Sequence, residues 1–209
     1  MSKPKIILIG AGGHAHACID VIEQHGQYQI AGLVGKPEEM HTQHFGYEVI
    51  AADGDLPQLA KEYPYALITV GQIQTPDHRM RLYQQATGLG FQLPVIIPPG
   101  AHVSRHATIG AGTIVMPGAI VNAGVRVGNN CIINTRALLE HDATVEDHCH
   151  ISTGVILNGN VHIDAGSFIG SGSIIKEGLT LGQGCVVGMG LAVRHNQPDH
   201  ARFFGNKKS

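Results

Sequence analysis

From Val103 to Ala192 the chain keeps a period of six without a slip. In hexads the stretch reads VSRHAT, IGAGTI, VMPGAI, VNAGVR, VGNNCI, INTRAL, LEHDAT, VEDHCH, ISTGVI, LNGNVH, IDAGSF, IGSGSI, IKEGLT, LGQGCV and VGMGLA. All fifteen first positions are Val, Ile or Leu, and every fifth position is Ala, Thr, Cys, Ser, Val or Leu. Such regularity predicts a β-solenoid, in which each hexad makes one short strand and one turn and three hexads close a triangular coil. First-position aliphatics then stack along the axis, while the fifth positions fill the narrow space left over. Cys131, Cys149 and Cys185 all stand at fifth positions and are expected as small buried hydrophobes. Glycines recur at second and fourth positions, where the corners fall and where positive φ is cheap only for glycine.

The first third of the chain follows different rules. An apolar run, Lys5 to Ile9, ends at GAGGHAHACIDVIEQHG, where Gly10, Gly12 and Ala15 fit a G-x-G-x-x-A pattern. Helical spacing is expected from His14 to Gln24, with Ala17, Val21 and Ile22 or Gln24 on one face. YQIAGLVG reads as a second strand and YALITVG as a third. TPDHRMRLYQQATGLG reads as a helix from about Pro76, stopped by Gly88 or Gly90. Alternating strands and helices make residues 1–97 a small parallel α/β domain, with the repeat domain at 98–209. His41 and His44 are expected in a surface loop.

The glycine turn supports two readings. It can serve tight strand–helix packing alone, or bare helix amides can hold a diphosphate at Gly12–Gly13. A dinucleotide site also needs an acid ending the second strand, to hold ribose hydroxyls. Here Gly35 and Lys36 stand there, with Glu38 and Glu39 only later, which argues against NAD and leaves a nucleotide-linked ligand open.

Composition narrows the partners. Lys and Arg number 14 against 16 Asp and Glu, with no basic tract, so there is no electrostatic case for nucleic acid or an anionic membrane. MSKPK runs straight into IILIG without a signal-peptide core, and no apolar run approaches a membrane span. The chain is therefore expected in the cytoplasm.

The repeats joined to GAGGH resemble the bacterial sugar O-/N-acyltransferase family, most tellingly at GAGGHA, INTRALLEHD and CHISTGVILNGNV. That resemblance implies a Rossmann-like amino-terminal domain followed by a left-handed parallel β-helix, assembled as a homotrimer with active sites between subunits. It implies acetyl-CoA as donor, no metal, and a nucleotide-linked sugar as acceptor. The favoured reaction is N-acetylation of a UDP- or GDP-linked 4-amino-4,6-dideoxy sugar for surface glycan or glycoprotein synthesis; the runner-up is O-acetylation of sialic acid. His141 of the E-H-D turn maps onto the family's general base, and Asp142 would orient or polarise it. Gly10, Gly12, Gly13, His14 and Asn134 map to the sugar-nucleotide side. His150, Gly159, Gly188, Met189, Gly205 and Lys207 map to the acetyl-CoA side, with Gly159 offering a backbone amide near the thioester.

Acyl transfer to an amine needs a positioned neutral amine, a proton acceptor and an oxyanion donor. Histidine suits the proton step near neutral pH. His141 is at a third position of its hexad, outside the buried first and fifth, so the residues alone also allow an exposed polar side chain. His141 and Asp142 can meet only if a corner turn brings consecutive side chains together, because neighbours on a strand point to opposite faces. His148 is expected on the surface, as are His102, His106, His162, His195 and His200, at the surface or an interface. A three-histidine zinc site of the gamma-carbonic-anhydrase type fits poorly: His106 and His141 have nearly the right spacing, but position 146 is Glu. A non-catalytic scaffold is the remaining class.

Overall fold

The computed structural model describes residues 2–204. Two compact units result, Met1–Gly71 with Asp77–Pro98 and Gln72–Pro76 with Pro99–Ser209. The division differs from a single cut at 97/98, because Gln72–Pro76 leaves the first unit. The Gln72 side chain donates to the carbonyl of His148 at 3.0 Å, and the Gln72 backbone carbonyl accepts from the His150 ring at 2.6 Å.

In the first unit, β1 (Lys5–Ile9), β2 (Gln29–Gly35), β4 (Tyr47–Ala52) and β5 (Tyr65–Ile68) run parallel in the order β4-β2-β1-β5, and β3 (Gln43–His44) adds an antiparallel edge beside β4. Three helices accompany them: α1 (Gly13–His25), α2 (Leu56–Glu62) and α3 (Asp77–Gly88). Ile6 to Ile9 are fully buried, as a strand covered on both faces requires. On α1 the buried stripe is Ala15, Cys18, Ile19, Val21 and Ile22, whereas Ala17 and Gln24 are exposed. The stripe thus begins two residues earlier than the expected face. Gly26, at φ 72, closes α1 by donating to Ile22 O at 3.0 Å. The β3–β4 hairpin places His44 on an edge strand rather than in a loop. Its two-residue turn, Phe45 at φ 50 and Gly46 at φ 87, has the positive-φ geometry of a tight hairpin without the usual Asn-Gly signal.

The second unit is a three-faced parallel β-helix. Face I stacks Thr108–Ile109, Arg126–Val127, Thr144–Val145, His162–Ile163 and Thr180–Leu181. Face II runs from Ile114–Val115 through Ile132–Ile133, His150–Ile151, Phe168–Ile169 and Val186–Val187 to Arg202–Phe203. Face III runs from His102–Val103 through Ile120–Val121, Leu138–Leu139, Ile156–Leu157 and Ile174–Ile175 to Ala192–Val193. Strand residues pair with those 18 positions on, as Leu138 does with Ile156, until the last coil, where the offset falls to 16, as between Val186 and Arg202. First positions from Val115 to Val193 are buried, and only Val103 and Ile109, in the first coil, are half-buried.

The fifth positions carry hydroxyls without leaving them unpaired. Thr113 Oγ1 donates to Gly128 O at 2.8 Å and accepts from Cys131 N at 2.9 Å, so one hydroxyl ties two coils. All four cysteines are buried free thiols. Burial pushes the Cys18 thiol up to about 12 and the Cys149 thiol well above its ordinary value, as for inert packing groups.

The corner glycines have two different causes. Fourth positions do take positive φ, as at Gly172 with φ +69. Second positions do not: a Cβ on Gly170 would lie 2.6 Å from the Gly188 carbonyl carbon, so glycine there is set by the approach of the next coil. No described helix is long and apolar enough to cross a membrane.

Candidate active site

The corner from face III to face I carries the second, third and fourth residues of every third hexad. His141 and Asp142 fall there, after the face III strand Leu138–Leu139. Asp142 adopts φ 61, a left-handed conformation that Asp tolerates better than most residues. This bend cancels the strand alternation and swings the two side chains together, with His141 Nδ1 2.9 Å from Asp142 Oδ2. An ionised carboxylate only accepts, so the proton lies on Nδ1 and Nε2 keeps its lone pair. Both side chains are about two-thirds exposed, at 67% and 66%.

The coils above and below form a slot for this pair. On the preceding coil, a Cβ on Gly124 would collide with Asp142 Oδ1. On the following coil, a Cβ on Gly159 would stand 2.7 Å from His141 Nε2 and 2.8 Å from Cε1. The imidazole therefore lies over a bare backbone, and its free nitrogen opens into a concavity of about 570 Å³ lined by Glu140, Asn158, Gly159, Asn160, Glu177 and Gly178. Glu140 is held by Asn122 Nδ2 at 3.0 Å. Gly124 escaped the sequence reading, although its 18-residue offset from Asp142 is the coil length itself.

Asn134 and His150 meet at the other edge of face III. Asn134 Nδ2 lies 3.0 Å from His150 Nε2, and Asn134 Oδ1 accepts from Thr135 N at 2.8 Å. Because His150 Nδ1 faces the Gln72 carbonyl, that nitrogen carries the proton and Nε2 accepts from Asn134. His150 is 7% exposed, with the Phe168 ring edge-on at 5.2 Å. The residues mapped to sugar and to cofactor are thus one hydrogen-bonded pair. His148 is half-buried rather than on the surface, its Nδ1 3.0 Å from Asn130 Nδ2. Gly188 lies under Phe204, whose Cδ1 would be 3.2 Å from an added Cβ, and Met189 beside it is 80% exposed. Gly205 and Lys207 lie outside the described residues.

In the first unit, Gly10 at φ +122 lets the end of β1 touch the end of β5: a Cβ there would be 2.6 Å from Val70 Cγ2. Thr69 Oγ1 donates to Gly10 O at 2.6 Å. Gly12 and Gly13 at the start of α1 have open space, with nothing within 4 Å of an added Cβ. His14 is half-buried against Gly71, 3.5 Å from its would-be Cβ. One glycine therefore serves packing, and at the other two a side chain would meet no neighbour. Among the described residues, no three His, Cys, Asp or Glu side chains converge as metal ligands.

Comparison with known proteins identifies both parts. Residues 5–86 match the PglD N-terminal domain, residues 106–141 the bacterial transferase hexapeptide (six repeats), and residues 160–194 the hexapeptide repeat of succinyl-transferase. Comparison with curated protein sequences returns no match. The acetyltransferase domain of PglB from Neisseria gonorrhoeae is 32% identical, with a TM-score of 0.87 over 95% of each chain. The chain belongs to the bacterial sugar acyltransferase family. Caulobacter crescentus PerB, solved with CoA and GDP-perosamine, is a 30% identical relative with a TM-score of 0.86, over 95% of this chain and 92% of that one. A histidine-to-asparagine mutant of the perosamine N-acetyltransferase from Caulobacter crescentus is 29% identical, with a TM-score of 0.90 over 98% of this chain and 99% of that one. The family fold, a Rossmann-like domain followed by a left-handed β-helix, is the one described above, and the chain is an acetyltransferase.

The slot makes a test available. Gly124→Ala should displace the Asp142 carboxylate and release His141 Nδ1. Gly154→Ala incurs the same left-handed backbone cost of about 1 kcal/mol, but has nothing within 4 Å. Nitrogen-15 shifts of the His141 ring should report the Nδ1–H tautomer in the wild type and Gly154→Ala, and a tautomer mixture in Gly124→Ala. An unchanged ring in Gly124→Ala would show that the slot does not hold the pair.

Proposed function

We propose that the chain transfers the acetyl group of acetyl-CoA to the amine of a UDP- or GDP-linked 4-amino-4,6-dideoxy sugar, with His141 as general base. The observation that carries this reading is the His141 ring itself: Nδ1 is fixed by Asp142, and Nε2 is bare and opens into a concavity. The relatives support the substrate class, since PerB was solved with CoA and GDP-perosamine.

The chemistry follows from that ring. The acetyl thioester supplies an activated carbonyl. The sugar amine attacks it, and His141 Nε2 accepts the proton that the nitrogen sheds. The resulting imidazolium sits 2.9 Å from the Asp142 carboxylate, which stabilises it without taking the proton. That proton then leaves with the CoA sulfur, giving amide and free thiol. The Gly159 amide lies on the coil beneath the imidazole and is suited to receive the carbonyl oxygen as charge develops on it. The open amides at Gly12 and Gly13, with His14, would take the diphosphate. Met189 and Phe204, exposed at 80% and 66%, would give the CoA chain an apolar surface. Four free thiols suit a reducing cytoplasm.

A homotrimer completes this reading. Within one chain, His141 and Asn134 lie at opposite edges of face III. The outward residues of that face, Ile120, Leu138, Ile156, Ile174 and Ala192, form an apolar stripe, with Ile120 40% and Ile174 44% exposed. Face I instead presents Thr108, Arg126, Thr144, His162 and Thr180. Burying the stripe against neighbouring copies would bring the His141 edge of one subunit to the Asn134 edge of the next. Ile174→Asp should therefore lower the mass measured by light scattering from three chains toward one, and a monomeric wild type would refute the arrangement.

Turnover is tested by thiol release from acetyl-CoA with UDP- and GDP-linked 4-amino sugars and with free sialic acid. Turnover on sialic acid alone would overturn the amine reading. His141→Ala should lose about 10²–10⁴ in kcat with KM little changed, and near-wild-type turnover would remove the base assignment.

A further inference from the structure

The acid that a nucleotide site wants at the end of the second strand is missing from positions 35 and 36. The structure shows a carboxylate in that place all the same. Beyond β2 the chain makes a 3-10 turn, Pro37–Glu39, and the Glu39 side chain folds back to accept from Lys36 N at 2.8 Å. A Cβ built on Gly35 would lie 2.7 Å from Glu39 Oε2, 3.1 Å from Ala11 Cβ and 3.2 Å from Val49 Cγ1. The carboxylate therefore lies where a side chain at residue 35 would begin, against the glycine turn that contains Ala11. Thr42 Oγ1 donates to the Glu39 carbonyl at 2.6 Å and anchors the turn from its far side.

A cap for this short turn needs only one carboxylate oxygen. Oε1 makes no hydrogen bond among the described residues, and a carboxylate has acceptor capacity well beyond one amide. Gly35 matters as much as Glu39, because any side chain there would occupy the same space. The pairing of a bare position 35 with an acid at 39 restores the charge that the strand end lacks.

We infer that Glu39 accepts the ribose hydroxyls of a nucleoside diphosphate whose phosphates sit at Gly12–Gly13, replacing the acid expected at the end of β2. This rests on the nucleotide-linked acceptor proposed above, and it names the residue that recognises the ribose. Hydroxyl donors to a carboxylate make charge-assisted bonds, so their loss weakens binding by about ten-fold or more.

Calorimetry on the full chain tests it, with GDP and UDP and their 2′,3′-dideoxy forms as probes. Glu39→Gln keeps an oxygen for Lys36 N and should leave thermal unfolding unchanged. The wild type should bind the better ribonucleotide at least about ten-fold more tightly than its dideoxy form, and Glu39→Gln should abolish that preference by weakening the ribonucleotide alone. Equal binding of ribo and dideoxy forms by the wild type overturns the assignment while sparing the nucleotide-linked acceptor. So does an equal loss for both forms in Glu39→Gln. Binding of neither GDP nor UDP would overturn both proposals together.

Discussion

Axial stacking at an interval of 18 residues is the constraint on which the second unit depends. Val, Ile and Leu at every first position fill the prism, and backbone bonds such as Leu138 N to Val155 O at 2.8 Å fix the vertical step. Once that step is set, residues 18 apart must share a column, and the chemistry of a corner becomes the chemistry of a column. Gly124, Asp142 and Asn160 make one such column; Ala123, His141 and Gly159 make its neighbour. The histidine is positioned because the two coils around it leave out side chains where its ring and its carboxylate partner lie. The proposed general base, built this way, needs no loop to order, which suits a site whose task would be to hold a lone pair in one direction.

The same register divides labour among the three faces. First and fifth positions are scaffold on every face, with Thr113, Ser167 and Ser173 bonding across coils in place of apolar packing. Sixth positions point outward and differ from face to face. They are buried on face II at Ile114 and Ile132, polar on face I, and an exposed apolar stripe on face III. The dyad and the Asn134–His150 pair flank that stripe, which is why assembly and catalysis are inseparable in the proposed trimer.

The repeat and the strand–turn–helix unit were legible in the sequence, since both rest on periodicity, which survives in a single chain. His141 and Asp142 were legible as neighbours. That they touch depended on the positive φ at Asp142, which a non-glycine residue does not announce. Second-position glycines looked like turn glycines but answer to the adjoining coil, a contact visible only at an 18-residue offset. The β3–β4 hairpin was hidden because Phe-Gly is not a strong turn signal. The helix face on α1 was displaced by two residues, since Ala15 and Ala17 are equally apolar and only packing decides between them. Glu39 comes too late in the sequence for a strand-end acid, and nothing in linear spacing shows that a 3-10 turn folds it back over Gly35.

In the proposed reaction one nitrogen, His141 Nε2, receives the proton of the acceptor amine in a site that coil register has built. A crystal structure of the enzyme with CoA and its amino-sugar nucleotide tests this most directly. The sugar amine is expected within about 3 Å of His141 Nε2, with Asp142 still on Nδ1 and the ring still over Gly159. An amine out of hydrogen-bond reach of that nitrogen, with another side chain in its place, would contradict it.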